Sequence, residues 1–381
     1  MPGSTKSCDV LIVGGGPAGL ATAIALRGRG MDVLLADAQT PPIDKACGEG
    51  IMPDSRSDLA RLGIELSDDL GAKFYGIRFC DQKSSVRARF LSGCGLGVRR
   101  LTLHQSLADQ AAQAGVRLAW KKTIVARPGQ PIVLDGTAVR YRYLVGADGQ
   151  SSRVRMWAGL NSGQLLTERF GFRIHCRLAR SAVSQQMPDV EVHWAQNGQA
   201  YITAVSEDEI CVAVLTRTAG TADLRRMIDS IPELRRRLEG AEIISSQRGA
   251  VTSTRRLKHV VRGNVALVGD ASGSVDAITG EGLALGFRQA MLLADAIEAG
   301  DFSHYDRQHP AVMRLPRTMA RIMLLMDRWP ALRGRVLKAM AEDPAIFETM
   351  LDVHLGEEPL GKFVLTRAPG LGLRLLGAPA A

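Results

Sequence analysis

The segment KACGEGIMP, Lys45 to Pro53, contains two side chains that could take part in chemistry: the thiol of Cys47 and the carboxylate of Glu49. A thiol can act as a nucleophile, and a carboxylate can act as a general acid or base. Gly48, between them, lets the backbone approach a ligand closely. The alternatives are structural, because a cysteine is often a small buried packing residue and an acid is often solvated. These residues alone leave both interpretations open.

The N-terminal stretch CDVLIVGGGPAGLATAIALRGRGMDVLLADA predicts a strand, a glycine-rich turn, a helix and a second strand. Its glycines match the pattern G-x-G-x-x-G, which allows a tight turn, close approach to a pyrophosphate and helix–strand contact. The start of the helix offers free N–H groups and a positive dipole to phosphates. The predicted phosphate-binding residues are Gly14, Gly16, Pro17, Ala18 and Gly19.

Asp37 stands 18 residues after Gly19, about where a dinucleotide-binding fold places a carboxylate on the ribose. A carboxylate at that position would repel a 2′-phosphate. The spacing therefore predicts FAD or NAD as the ligand and argues against NADP. A glycine-rich turn without a ligand is the structural alternative.

Two later segments also combine a strand with a glycine-rich turn. YRYLVGADGQSSRVRMWAGL predicts a strand that ends near Asp148. GNVALVGDASGSVDAITGEGLALGFRQAMLLADAI predicts a strand, a loop that contains Asp270, and a helix that begins at Gly282. A carboxylate at a strand's end can bind sugar-like hydroxyls, and a glycine at a helix start lets an anionic ring approach.

The segments GGGPAG, GADGQSSRVR and VGDASGSVDAITGEGL together make the chain similar to the FAD-dependent oxidoreductase superfamily. That superfamily includes aromatic hydroxylases, flavin halogenases and geranylgeranyl reductases, and its members carry these three motifs in this order. The resemblance covers roughly residues 8–300. KACGEG resembles the CGG or CGE segment of the geranylgeranyl reductase-like branch, to which the chain is most similar.

The resemblance implies a set of FAD contacts. Cys47, Gly48 and Gly50 would approach the isoalloxazine ring and the ribityl chain, and Gly282 and Leu283 would lie beneath the ring. The further implied cofactor-binding residues are Arg100, before a helix; Val125, on the adenine-side strand; Asp148, in the GADG motif; and Asp270, at the ribityl or pyrophosphate region. The candidate catalytic residues are Cys47, Glu49 and Glu281, with either acid near the ring.

The chain departs from the superfamily pattern at several points. The reductases typically have CGGG where this chain has Glu49, which argues against a simple reductase. The tryptophan-rich WxWxI stretch of the halogenases corresponds to VHWAQNGQAYITAV, with one tryptophan, and no lysine is identifiable as the halogenating residue. A second G-x-G-x-x-G is absent, so NAD(P)H would bind transiently or be replaced by another reductant.

The predicted fold class is α/β (α+β): a Rossmann-like FAD-binding domain, an inserted and largely antiparallel β-sheet substrate domain, and a C-terminal helical region. Period-two alternation predicts the inserted sheet in KFYGIRFC, SSVRARF, FGFRIHCRL, VEVHWA, QAYITAVS and EICVAVLT. The predicted FAD-binding domain comprises residues 1–71, 96–160 and 248–300. The substrate domain comprises residues 72–95 and 161–247, and the helical region comprises residues 301–381.

Apolar residues at helical spacing dominate part of the C-terminal region, interrupted by Pro330 and Pro344. They are Met319, Ile322, Met323 and Met326. Packed core helices are one interpretation. A greasy substrate channel and a peripheral membrane contact are the others, because methionine adapts to irregular apolar partners.

Composition limits the remaining classes of function. The 381 residues carry a net charge of +9, but the basic residues are scattered and aromatic residues make up only 5%, so we expect no nucleic-acid partner. The six cysteines form no CxxC pair, so we expect no metal site. Nothing at the N-terminus resembles a secretion signal, and a cytoplasmic location is the expectation.

The sequence favours an FAD-dependent monooxygenase of the hydroxylase or epoxidase type. It would act through a flavin C4a-hydroperoxide on a hydrophobic small molecule of polyketide-, phenol- or isoprenoid-like character. The first alternative is an FAD-dependent reductase that saturates C=C bonds of a polyprenyl-like substrate, and the second is a flavin halogenase. A non-enzymatic flavin-binding protein is the last. An electron-donor protein is a candidate partner in addition to the substrate.

Overall fold

The computed structural model describes residues 6–126, 130–179, 188–217 and 224–377, and these residues form a mixed α/β structure around two large sheets. The first is a mainly parallel sheet, in the order β18-β19-β11-β1-β2-β8, with β10 and β9 added beside β11. Its strands are β1 Lys6–Val13, β2 Val33–Ala36, β8 Arg117–Ala119, β9 Ile124–Val125, β10 Val133–Leu134, β11 Thr137–Gly146, β18 Val261–Arg262 and β19 Val265–Leu267.

Short apolar runs place this parallel sheet in the core. Val10, Leu11 and Ile12 in β1 are completely buried, and β1 pairs in parallel with both β2 and β11. Strands buried on both faces have continuous rather than alternating apolar sequences, and β1 is of this kind. The predicted Rossmann-like strand–helix–strand unit is confirmed.

Helices cover and connect the strands of the parallel sheet. Pro17 at the first position of α1 lacks an N–H that the helix would leave unbonded in any case. The helices before the C-terminal region are α1 Pro17–Gly28, α2 Pro53–Arg61, α3 Arg100–Gln113, α4 Arg153–Trp157, α5 Leu224–Asp229, α6 Pro232–Arg237 and α7 Gly282–Glu298. Helix α1 packs closely on α7, so the first and last of the predicted motifs are brought together.

The second large sheet is largely antiparallel, in the order β16-β12-β15-β14-β13-β5-β6, with β17 paired to β12. Its strands are β5 Gly76–Cys80, β6 Ser85–Arg89, β12 Gly163–Arg177, β13 Val190–Trp194, β14 Gly198–Ala204, β15 Glu209–Thr216, β16 Glu242–Ile243 and β17 Arg248–Leu257. The six alternating segments form strands of this sheet, except that Lys73 and Phe74 of the first segment belong to a separate small sheet, and the predicted sheet is confirmed. The pair β13–β5 is parallel.

A small third sheet joins β3 Gly50–Ile51, β7 Gly95–Gly97 and β4 Ala72–Phe74. Two strands pair outside the domain to which the predicted division assigned them. Strand β17 pairs along its length with β12 of the antiparallel sheet, and β4 pairs with β7. The division of the chain into domains stays a prediction.

The C-terminal region is helical, as expected from its sequence. Its helices are α8 Phe302–Arg328, α9 Pro330–Glu342, α10 Pro344–Leu355, α11 Leu360–Thr366 and α12 Ala368–Gly377. Pro330 and Pro344 begin α9 and α10, because proline suits the first turn of a helix, whereas Pro310 and Pro316 lie inside α8. Within the described residues, no helix is both long and apolar enough to cross a lipid bilayer.

Candidate active site

A cavity of about 710 Å³ lies where the parallel sheet, the antiparallel sheet and the C-terminal helices meet. Its size falls within the range of small-molecule and cofactor sites. Residues from all three glycine-rich motifs line one part of it, and apolar residues of the antiparallel sheet, α8 and α10 line another. The fold therefore joins the predicted cofactor residues to an apolar chamber.

The first glycine turn borders the cavity through Gly14, Gly16, Pro17 and Ala18. Gly14 has φ +113°, and a Cβ there would lie 2.3 Å from the carbonyl oxygen of Ala147, so only glycine fits. Gly19 does not line the cavity. A Cβ on Gly19 would lie 2.0 Å from the oxygen of Gly14, so Gly19 allows the helix to approach the turn.

Two predicted acids of the cavity wall are held by backbone N–H groups. The Asp37 carboxylate accepts hydrogen bonds from the N–H groups of Gly15 at 2.6 Å and Gln39 at 2.7 Å. The Asp148 carboxylate accepts from the N–H groups of Arg153 and Val154 and thereby holds the start of α4. Each carboxylate has about four lone-pair sites, so these bonds leave Asp37 able to accept from a ribose hydroxyl.

The third motif reaches the cavity through Asp270, Gly282 and Leu283. Asp270 follows β19 and forms an ion pair with Lys45 at 3.2 Å. A Cβ built on Gly282, the first residue of α7, would have no protein atom within 4 Å. The start of α7 therefore faces open space in the cavity.

The KACGEG segment lies at the cavity wall, with Cys47, Gly48, Glu49 and Gly50 all among the lining residues. Glu49 has φ +60°, a left-handed conformation that favours glycine. Glycine would adopt this conformation without strain, so Glu49 is strained here. Hydrogen bonds to the segment offset the strain here: the N–H of Val98 donates to the Glu49 carbonyl at 2.9 Å, and Thr203 Oγ1 donates to the Gly48 carbonyl at 2.8 Å.

The Glu49 carboxylate is buried and bound on both oxygens. Oε1 accepts from the backbone N–H of Arg100 at 2.9 Å and lies 3.7 Å from Arg173 Nε. Oε2 lies 2.7 Å from His175 Nε2. The guanidinium of Arg173 can only donate, and it lies 3.2 Å from His175 Nδ1, so Nδ1 is the acceptor. The ring proton of His175 is therefore on Nε2, which donates it to Glu49 Oε2. The acid thus ties the segment to β12 and α3.

Arg100 lines the cavity, and its Nε is buried without a hydrogen-bond partner among the described residues. A buried donor without a partner is costly, so it marks a place where a ligand acceptor would be favoured. Val125 does not line the cavity, and its side chain is 43% exposed, whereas the neighbouring Ile124 lines the wall. The role of Val125 stays a prediction.

Glu281 is buried immediately before α7 and does not line the cavity. Burial is the main cause that raises its pKa, and its Oε2 has no hydrogen-bond partner in the part of the chain described. The Nδ1 of His354 lies 3.8 Å from that oxygen, and His354 does line the cavity. Sequence reasoning missed His354. Its only sequence signal is a polar residue in the apolar stretch LDVHL.

The apolar chamber contains the predicted methionine-rich residues. Met319, Ile322, Met323 and Met326 all line the cavity. The opposite apolar lining comes from the antiparallel sheet and α10 and comprises Ile77, Phe79, Val190, Val192, Phe347, Met350 and Leu351. This arrangement agrees with the interpretation of the methionine-rich helix as the wall of an apolar substrate channel.

In the part of the chain that the structure describes, two groups of side chains offer metal-ligand atoms within 4.8 Å of one another: Glu49, His175 and Cys211, and Cys80, His193 and Glu233. In the first group, Glu49 and His175 are already bonded to each other, and Arg173 lies beside them. In the second, Arg78 lies 3.0 Å from Glu233. In both groups an arginine cation already lies beside the carboxylate, which disfavours a metal cation there. That the protein has no metal site stays a prediction.

Comparison with known proteins decides the family. The sequence profile of the FAD-binding domain family matches residues 7–299, most of the chain. The chain belongs to this family. It is an FAD-dependent oxidoreductase, and FAD is its cofactor.

Curated relatives extend over most of the chain. Menaquinone reductase of Mycolicibacterium smegmatis is 24% identical, with 80% of each chain covered. Menaquinone reductase of Mycobacterium tuberculosis is 28% identical, with 78% of each covered. Digeranylgeranylglycerophospholipid reductase 1 of Methanothermobacter thermautotrophicus is 29% identical, with 77% of this chain and 78% of the relative covered.

Solved structures share the fold at lower identity. A flavoprotein/dehydrogenase from Cytophaga hutchinsonii superposes with a TM-score of 0.82 at 17% identity, covering 98% of this chain and 100% of that one. The flavin-dependent brominase Bmp2 superposes with a TM-score of 0.72 at 20% identity, covering 93% and 100%. At these identities the similarity establishes the fold alone.

The residues around the cavity fit FAD. Gly16, Gly48 and Gly282 present open space where a side chain would otherwise stand, and α1 directs its free N–H groups at that space. Asp37 and the unpartnered Arg100 Nε supply an acceptor and a donor. These residues would hold the cofactor at the polar end of the cavity.

We expect bound FAD to shield Cys47 from thiol reagents. Cys47 is half-buried at the cavity wall, and if FAD occupies that part of the cavity the thiol reacts only when FAD leaves. With free FAD at ten times its Kd, labelling of Cys47 should slow about tenfold. Peptide mass spectrometry of protein labelled with and without FAD measures the rate.

Cys94 is the control for this measurement, because it is also half-buried but does not line the cavity. The other cysteines should label slowly in both states. Burial raises the pKa of Cys8, Cys80 and Cys176 to about 11, and the thiolate is the reactive form. Equal labelling of Cys47 with and without FAD would place the KACGEG segment away from the cofactor.

Proposed function

We propose that the protein is an FAD-dependent reductase that saturates C=C bonds in an isoprenoid lipid. The observation that carries the proposal is that Cys47 and Gly282, at the cofactor end, line the same cavity as the methionine-rich residues of α8. An extended apolar chain would bury its surface against that chamber, which favours binding by about 25 cal/mol per Å². Menaquinone and digeranylgeranylglycerophospholipid, which name the curated relatives, both carry isoprenoid chains.

This proposal reverses the order that the sequence favours. The sequence argument against a reductase rests on Glu49, which replaces a glycine of the reductase pattern. Although Glu49 lines the cavity, both of its carboxylate oxygens are engaged within the protein, by the N–H of Arg100 and by His175, so the acid orients the segment. The substitution is therefore compatible with reduction.

Saturation of a C=C bond adds a hydride to one carbon and a proton to the other. Bound and reduced FAD supplies the hydride. The protein must supply the proton, and His354 is the candidate because its imidazole lines the cavity beside the start of α7. The Glu281 carboxyl, whose pKa is raised mainly by burial, can pass a proton from Oε2 to His354 Nδ1 across the 3.8 Å that separates them. Such distances in a ligand-free site shorten when substrate binds.

The chain also positions and shields the reacting groups. Asp54 and Asp58 bind Arg288 on α7, which fixes that helix against α2 beside Glu281. A bound apolar substrate would displace water from the chamber, which would strengthen electrostatic interactions within it. NAD(P)H, another small reductant or an electron-donor protein would reduce the flavin from outside.

A monooxygenase is the second candidate, favoured by the departure of Glu49 from the reductase pattern. An anaerobic single-turnover experiment tests the choice. Dithionite-reduced holoenzyme is mixed with a geranylgeranyl lipid, and the product is analysed by mass spectrometry. We expect oxidised flavin to appear without oxygen and the lipid to gain two hydrogen atoms for each saturated bond.

The contrary result is equally clear. If the lipid is unchanged without oxygen but gains one oxygen atom in air, with a transient C4a-adduct absorbance, the protein is a monooxygenase. Halogenation would show instead as incorporation of bromide or chloride in air. A reduced flavin that reoxidises slowly and without product under all conditions would favour a non-enzymatic flavin-binding protein.

A further inference from the structure

The second half of α8 exposes an apolar stripe to solvent. Ile322 is 40% exposed, Leu325 is 43% exposed and Trp329, at the end of the helix, is 51% exposed. Their spacing of three and four residues places them on one face of the helix. A tryptophan beside aliphatic residues on an exposed helix face is typical of helices that lie in a membrane interface.

The charges around this stripe have one sign. Residues 314–340 contain six arginines, one lysine and a single acid, Asp327. Asp327 is buried and lies 3.6 Å from Arg169 and 3.4 Å from Arg217, so its charge is balanced within the protein. The side chains of Arg321 and Arg328, which flank the stripe, are exposed. The surface therefore combines apolar groups with cations that no exposed acid of this segment balances.

The stripe is continuous with the cavity. Ile322 is both exposed and part of the cavity lining, and Met319, Met323 and Met326 of the same helix continue the apolar wall inward. A long apolar chain bound in the chamber could thus contact the stripe at Ile322. This continuity links the exposed face to the bound substrate.

We propose that this docking face (Ile322, Leu325 and Trp329 with Arg321 and Arg328) lies on an anionic lipid bilayer and admits the lipid substrate at Ile322. The apolar side chains enter the boundary between head groups and acyl chains, and the arginines bind the anionic head groups. The contact is peripheral. The entry of substrate rests on the proposed function, whereas binding to the bilayer does not.

Sedimentation with lipid vesicles tests the docking face in the FAD-loaded protein. We expect binding to vesicles that contain phosphatidylglycerol, weakened by salt, and much weaker binding to pure phosphatidylcholine. The double variant Arg321→Ala/Arg328→Ala should bind about 30-fold more weakly, since each cation contributes about 1 kcal/mol near an anionic surface. The control is Arg140→Ala/Arg142→Ala, which removes two exposed arginines of β11 and should bind like the unmodified protein.

A second pair of variants tests insertion of the apolar stripe. Leu325→Glu should reduce vesicle binding at high salt as well as at low salt, because it removes an inserted group and adds a charge of the sign of the lipid. Met156→Glu on α4, where the side chain is 53% exposed, is the matched control and should bind normally. Retained FAD absorbance in each variant shows that the fold is intact.

Activity measurements distinguish a failure of the docking face from a failure of the proposed function. The docking variants should reduce a detergent-dispersed geranylgeranyl lipid at the normal rate but lose activity on the same lipid in vesicles. Normal vesicle binding without reduction of any lipid would overturn the proposed function and leave the docking face standing. Reduction without vesicle binding, or equal binding by Leu325→Glu and Met156→Glu, would overturn the docking face. Dimerisation that Leu325→Glu abolishes, without vesicle binding, would assign the face to a second copy of the chain instead.

Discussion

Replacing Gly282 by valine is expected to release FAD while leaving the protein folded. Gly282 begins α7, and a Cβ there would meet no protein atom within 4 Å, so the valine side chain fits the protein itself. It would stand in the part of the cavity that we assign to the isoalloxazine ring. Overpacking costs about 1–3 kcal/mol, which corresponds to a Kd for FAD weakened roughly 5- to 150-fold.

Titration of the apoprotein with FAD, followed by flavin fluorescence, measures this effect. Gly361→Val is the matched control, because Gly361 also lies near a helix start, has no protein atom within 4 Å of its Cβ and does not line the cavity. The control should bind FAD normally, and circular dichroism should show both variants folded. A Gly282→Val protein that binds FAD as tightly as the unmodified protein would place the ring elsewhere in the cavity.

Replacing His354 by glutamine is expected to lower turnover by about 10²- to 10⁴-fold, the usual contribution of a positioned general acid or base. FAD should be retained, because His354 faces the chamber between α7 and α10 and none of the glycine turns depends on it. The loss should fall on kcat rather than on KM. Stopped-flow measurement of flavin reoxidation by the lipid, without oxygen, isolates this step.

His304→Gln is the control, since His304 is an exposed residue of the first turn of α8 and should be replaceable without effect.

The variant Glu281→Gln tests the proton relay through the pH profile, which a purely structural role of Glu281 would not change. Burial raises the pKa of Glu281, so this carboxyl should lose its proton at a pH above the ordinary range for glutamate. Activity should fall over the same pH range, because the proton is then no longer available. Glutamine cannot titrate and should abolish that limb of the pH profile. Unchanged kcat in His354→Gln would remove the residue from the reaction.

The sequence alone determined the local parts of the cofactor site. The strand, glycine turn and helix of the first motif follow from a stretch of 31 residues, and Gly19 is required because a Cβ there would lie 2.0 Å from the oxygen of Gly14 in the same turn. Period-two alternation likewise located the strands of the antiparallel sheet, and Pro330 and Pro344 marked interruptions of the C-terminal helical pattern. These features are predictable because backbone sterics and the period of side-chain burial act over short distances.

The contacts of the two buried acids, Glu49 and Glu281, follow from long-range packing. Glu49 meets His175, 126 residues away, and Glu281 meets His354 on α10, and neither pairing has a sequence pattern. No sequence pattern shows that the methionine-rich helix and the KACGEG segment line one cavity. Nor does any pattern show that Leu325 is exposed while the adjacent Met326 is buried. Such contacts depend on how sheets and helices pack, and packing is settled by the shape and burial of residues far apart in the chain. The cofactor motifs were therefore recognisable in the sequence, whereas the proposed proton donor and the proposed docking face were not.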